Sequence, residues 1–239
     1  MRPGVKINDI SIAGPCRRRH GASRMASSMK RILVALCLIL PAGPSLAASV
    51  VKSYSYYTLD APTLDGIEAQ LESRGPRVES SGHKHPGATR MRFITRTTYS
   101  QDGDRCRVSG THTVLKVREI LPRWRPRHRP EAAVRIIWDT LASDISRHEG
   151  QHVDIAKNYA RDLEQSIRAL GSAATCAEMS AKVKQVTARV LEEHDRAQLQ
   201  FDRVENVNFE DRFQRLLDYR LKQMGDRQSR DFGSPRYNR

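Results

Sequence analysis

From Glu131 to about Leu170 nothing interrupts a helical pattern except Gly150. Trp138, Leu141, Ile145, His148, His152, Ile155 and Tyr159 follow one another at three- and four-residue steps. That spacing sets them on one face of a single long helix, the face that turns toward a core. Pro130 at its start and Glu131 just after it suit a first helical turn.

Two histidines of this stripe belong to the pentapeptide His148-Glu149-Gly150-Gln151-His152, an H-E-x-x-H motif. Side chains four apart share a helix face, so both imidazoles can hold one metal ion with Glu149 beside the open coordination position. Zinc held by two histidines and one further protein ligand, with water in the last position, is a hydrolytic centre. Glu149 would then act as the base that takes the proton from that water. Gly150 costs a mid-helix position about 1 kcal/mol relative to Ala. Its missing side chain would let a substrate approach; simple tolerance is the alternative.

The third ligand must lie elsewhere. A metzincin-type extension would place glycine at position 155 and histidine at position 158, but Ile155 and Asn158 stand there, which excludes that arrangement. A second long helix, from about Ala177 to Asn206, buries Val183, Val186, Val190, Ala197, Phe201 and Val204 and is the natural source. His194, Asp195, Asp202 and Glu205 gather near this stripe. His194 and Glu205 point closest to the core, while Asp202 sits at its edge beside Phe201. Any one of these carboxylates, taken alone, also reads as part of a solvated charged face. His83 and His85 could form a surface metal site in a polar loop, and His112 reads as a half-buried strand residue.

Residues 29–48 have the form of a secretory signal: Met29-Lys30-Arg31, the apolar run from Ile32 to Leu40, then Pro41, Gly43 and small residues up to Ala47 and Ala48. The run is too short to span a bilayer. Residues 1–28 read as a misassigned upstream start. A periplasmic or secreted protein is expected, with no stable membrane span once the signal is removed and no nucleic-acid partner. The formal net charge of +14 includes eight basic residues and one acidic residue before Ala48, so the exported part keeps 33 basic against 26 acidic residues. That surplus suits solubility or attraction to an anionic envelope surface. Export also leaves two cysteines, Cys106 and Cys176, which in an oxidising compartment are most simply one disulfide.

Residues 49–121 read as strand-rich. Ser49 to Thr58 is extended, and Leu64, Ile67 and Leu71 mark a short helix that stops at Arg74-Gly75-Pro76. Met91, Phe93 and Tyr99 share one face of an alternating strand, and Asp102-Gly103 turns the chain into the returning strand Arg105 to Arg118. Residues 131–223 form a helical half that carries the H-E-x-x-H, and residues 224–239 read as a disordered polar tail. The expected class is α+β: a small antiparallel sheet with a short helix, packed on two long antiparallel helices, the first of them a zincin-like active-site helix.

Over roughly residues 50–210 the chain resembles a bacterial domain-of-unknown-function family whose members are described as predicted secreted zinc-dependent proteases. The resemblance rests on Thr63 and the helix ending Arg74-Gly75-Pro76, Cys106 in the hairpin, Trp138 ahead of His148-Glu149-Gly150-Gln151-His152, Cys176, and Phe201-Asp202-Arg203-Val204-Glu205. It implies an aromatic–Asp pair in the last helix and so points to Asp202 as third ligand. Many members continue with a Thr-x-His-Gly stretch where this chain has Glu205-Asn206-Val207-Asn208, which leaves Asp202 against Glu205 open. The expected activity is zinc-dependent hydrolysis of a peptide or protein substrate. The rival expectation is a non-enzymatic envelope protein with a structural metal, in which a fourth protein ligand such as His194 would close the site.

Overall fold

A computed structural model describes residues 17–18, 48–78 and 82–233 of the chain. In chain order its elements are β1 Arg17–Arg18, β2 Ser49–Leu59, α1 Leu64–Arg74, β3 Ala88–Asp102, β4 Arg105–Trp124, α2 Ala132–Arg168, β5 Ser172–Ala173, α3 Cys176–Val207 and α4 Phe209–Gly233. The molecule is α+β. Apart from Arg17–Arg18 and Ala48, the residues of the expected upstream extension and signal lie outside the described residues.

The sheet grows from the β3–β4 hairpin, where Gly103 takes a φ of 58°, a left-handed conformation that costs glycine nothing. Antiparallel pairing runs from Asp102↔Arg105 back to Ala88↔Ile120, with one irregularity between Thr98 and Tyr99. On the other side of β4, β2 pairs in parallel from Ser49↔Val114 to Leu59↔Trp124. The sheet is therefore mixed, which corrects the expected antiparallel one. Alternation of side chains marks a strand and its faces but not its direction. β4 lies between β3 and β2, which run in opposite directions, so one neighbour has to be parallel.

Phe93, Leu115 and Val117 on the inner face of the sheet pack against Val153, Ala156 and Ala160 of α2 and Leu191 of α3. A second cluster joins Tyr99 and Cys106 to Leu163, Ile167, Met179, Val183 and Val190. The disulfide Cys106–Cys176 closes a separation of 70 residues there and ties the hairpin to the start of α3. The third cluster packs Leu59, Ile67 and Leu71 beneath Val134 and Trp138. Where β4 lacks a strand neighbour, α2 covers its edge. Glu164 accepts from the Thr113 N–H at 2.5 Å, and Arg168 donates to the Thr111 carbonyl at 3.1 Å.

α2 and α3 form an antiparallel hairpin: Met179 and Val183 lie by Leu163 and Ile167, while Gln198 and Glu205 lie by His152 and Arg147. Thr175 caps α3 by accepting from Glu178 N–H at 3.1 Å. The two expected helices are joined by a third. Asn208 ends α3, donating its side-chain amide to the Val204 carbonyl at 2.7 Å, and α4 restarts at once with Arg212 N–H on the Asn208 carbonyl. α4 continues past Met224, where a polar tail was expected, to Gly233. Among the described residues no helix is long and apolar enough to cross a membrane.

Candidate metal centre

His148 and His152 sit one above the other on α2 and present their Nε2 atoms to each other at 3.1 Å. Asp202 of α3 brings Oδ1 to 3.1 Å from His152 Nε2 and 3.5 Å from His148 Nε2. These three groups form a set whose ligand atoms all lie within 4.8 Å of one another. A tetrahedral ion with bonds of about 2.0–2.1 Å separates its ligand atoms by about 3.3 Å, so the triangle has the size such an ion requires. Phe201, the residue before Asp202, stacks on His148 and meets His152 edge-on, each at 5.0 Å between ring centroids.

Each imidazole is oriented from behind. His152 Nδ1 faces Gln198 Oε1 at 2.5 Å, and the Gln198 amide donates to the His152 carbonyl at 3.0 Å and to His194 Nε2 at 2.9 Å. His148 Nδ1 lies 3.5 Å from Glu205 Oε2. Amide oxygen and carboxylate only accept, so these partners suit the metal-ligating tautomer, with the proton on Nδ1 and the Nε2 lone pair turned into the triangle. Two lone pairs 3.1 Å apart repel unless a proton or a cation lies between them. The donor set thus fits a metal ion held by His148, His152 and Asp202.

Glu205 therefore lies behind the site rather than in it. It is paired with Arg147 and, at 3.3 Å, with Arg212. Burial alone would raise its carboxyl, but Arg147 outweighs that and holds it below the ordinary carboxylate range. Asp144 completes the network. It accepts from Arg147 at 2.9 Å and from the Arg212 fork at 3.0 and 3.2 Å. His194 is fully buried between Phe93 and Tyr159, bonded to Asp195 at 3.1 Å and to Gln198, away from the triangle.

Glu149 is buried against the sheet. Thr89 of β3 donates to its Oε2 at 2.6 Å, and Gly87 comes so close that an added Cβ would stand 2.6 Å from its Oε1. Burial pushes the Glu149 carboxyl up, the Thr89 hydrogen bond and the two histidines draw it back, and Asp202 adds to the rise. Burial would lower His152, but Asp202 and Gln198 outweigh it and raise the imidazole above its ordinary value. Asp202 is held well below the carboxylate range, as its hydrogen bonds to His148 and His152 overcome the burial that would raise it. At Gly150 an added side chain would meet open space.

The rim comes from β2 and from the loop that leads into β3. Tyr57 donates to the Pro86 carbonyl at 2.7 Å, and its phenol is raised by burial and by the nearby Glu149 charge. His85 is lowered by burial, with Asp202 opposing and His148 and His83 adding to the fall. Of the two loop histidines, His85 is half-buried and His83 is exposed. His112 lies 3.4 Å from Glu164 at the β4 edge, far along the chain from the site.

Sequence reasoning missed Gln198, Thr89, Gly87, Tyr57 and the Arg147–Arg212–Asp144 network. Only Gln198 left a signal, four residues from both His194 and Asp202 on one helix face.

The architecture and the triangle together describe a mixed α+β protein with a His–His–Asp cluster on a helix hairpin. The chain belongs to the family described as bacterial protein of unknown function (DUF922), which matches residues 54–210 and so takes in every residue of the cluster. No curated protein and no solved structure matches it.

Proposed function

We propose that the protein is an exported zinc-dependent hydrolase that cleaves peptide bonds. The observation that carries this reading is the convergence of His148 Nε2, His152 Nε2 and Asp202 Oδ1 with the buried carboxylate of Glu149 next to them on α2. Zinc held there would supply Lewis acidity toward a water and a substrate carbonyl. Imidazole and carboxylate donors suit that ion, and a three-residue set is the protein complement of catalytic zinc sites.

Glu149 serves as the base. Its burial strengthens its affinity for a proton relative to an exposed carboxylate, and Thr89 fixes the orientation of one oxygen. Gly87 lets that carboxylate sit against the backbone of the rim. The same carboxyl then returns the proton to the leaving amine. Gln198 and Glu205 keep both imidazoles in the ligating tautomer.

Carefully prepared protein should contain about one zinc per chain, and His148→Ala should lose it. Glu149→Gln should keep the metal and abolish cleavage of a peptide library. Metal analysis that finds no zinc, or equal cleavage by Glu149→Gln, would overturn this assignment.

A further inference from the structure

The helices cover one face of the sheet; the opposite face of β3 and β4 carries the positive charge. Phe93, Leu115 and Val117 point to the helices. Strand alternation therefore turns Arg90, Arg92 and Arg96 of β3, and Lys116 and Arg118 of β4, the other way. All five are exposed. The register sets Arg90 directly across from Arg118 and Arg92 directly across from Lys116. Like charges placed opposite each other weaken a sheet, yet neither strand sets an acid on this face between Arg90 and Arg118. The two acidic residues of these strands are elsewhere: Asp102 at the hairpin tip, and Glu119, buried and paired with Lys52 at 2.6 Å.

Along a strand, alternate residues are about 7 Å apart, and neighbouring strands about 4.8 Å. The five cations thus form a two-row block. We infer that this face docks the protein on an anionic phospholipid bilayer. Charge complementarity and the shape of the face support that occupant. A sheet face spreads cations over an area that matches a plane of phosphates. The aromatic residues of β3, Phe93 and Tyr99, belong to the core, so the face has no stacking platform of the kind single-stranded nucleic acids use. The inference is independent of the metal cluster, which lies on the helix side of the sheet. It also places part of the basic surplus of the chain in one functional patch.

The test is vesicle co-sedimentation of the full chain, with pure phosphatidylcholine vesicles against vesicles containing about a third phosphatidylglycerol. The difference between the two isolates the electrostatic part of binding from any contribution of the apolar N-terminal run. Each basic residue near an anionic surface is worth about a fivefold gain. A triple Arg90→Gln, Arg96→Gln, Lys116→Gln variant should therefore lose on the order of a hundredfold of the phosphatidylglycerol-dependent partition. These changes relieve like-charge contacts, so the fold should persist, and a thermal melt checks it. Lys184→Gln, Arg189→Gln, Arg196→Gln on exposed positions of α3 removes the same charge and should lose far less. Equal losses in both triple variants, no phosphatidylglycerol dependence in the parent, or tighter binding to duplex DNA than to the vesicles would each overturn the inference.

Discussion

Replacing Arg212 with alanine should unlatch α4 from α2. The guanidinium donates Nε to Asp144 Oδ1 at 3.0 Å and Nη2 to Oδ2 at 3.2 Å, with side-chain exposures of 17% for Arg212 and 4% for Asp144. Removing one partner of a well-buried pair costs about 3–5 kcal/mol, because the remaining charge is stranded. Here the cost is smaller, since Arg147 still donates to Asp144 at 2.9 Å. About 2–3 kcal/mol should remain, in keeping with about 1.5–3 kcal/mol for a hydrogen bond to a charged group. At about 2–4 °C per kcal/mol for a chain of this size, Tm should fall by about 5–10 °C. Arg212→Lys should recover only part, because an ammonium cannot reproduce both bonds of the fork. Differential scanning calorimetry of Arg212→Ala, Asp144→Ala and the double variant gives the coupling directly. A Tm within about 2 °C of the parent, together with coupling below about 0.5 kcal/mol, would refute the docking of α4 through this pair.

Gln198→Ala removes the acceptor behind His152 and should weaken zinc binding by about 10–100-fold in a competition titration with a chelating dye; unchanged affinity would show that Gln198 does not orient the imidazole. In metal-free protein His152 should titrate above its ordinary 6.5 by NMR, and Asp202→Asn should bring it back toward that value. The sign of the stability effect follows. The raised His152 stabilises the fold below 6.5 and loses that contribution as pH rises through its folded value. The lowered Asp202 stabilises it above the ordinary carboxylate range and loses that contribution as pH falls through its own. Thermal melts of the metal-free protein against Asp202→Asn should therefore differ most at mildly acidic pH. The Cys106–Cys176 bond closes a separation of 70 residues, so a double Ser variant should lose about 4 kcal/mol in chemical denaturation. A loss below about 1 kcal/mol would mean that the unfolded chain gains little freedom when the bridge is absent.

The features legible in the sequence were those fixed by local spacing. The H-E-x-x-H alone sets His148 and His152 on one helix face, and the hairpin turn at Gly103 fixes the pairing of β3 with β4. Choosing between Asp202 and Glu205 needed the rotation of α3 relative to α2, which no single-helix pattern contains. Angular bookkeeping aimed His194 and Glu205 inward, and the fold does bury His194. Asp202 instead lies at the solvent-open edge of the helix interface, with its carboxylate facing both imidazoles. Thr89, Gly87 and Tyr57 were invisible for a different reason: they reach Glu149 through the placement of a whole strand and its preceding loop. Direction was equally hidden in β2, whose alternation fits parallel and antiparallel neighbours alike. The break at Asn208 ended the apolar stripe of α3, so nothing in that pattern announced a further helix held by arginine.

The cluster draws on residues 148–152 and 198–205, and its base rests on 87–89, stretches that meet only when the helix hairpin has closed over the sheet. No contiguous fragment of the chain owns the site. A newly made chain therefore carries two histidines on a single turn well before Asp202 can meet them. On the proposed reading, metal capture would follow closure of the helix hairpin rather than precede it.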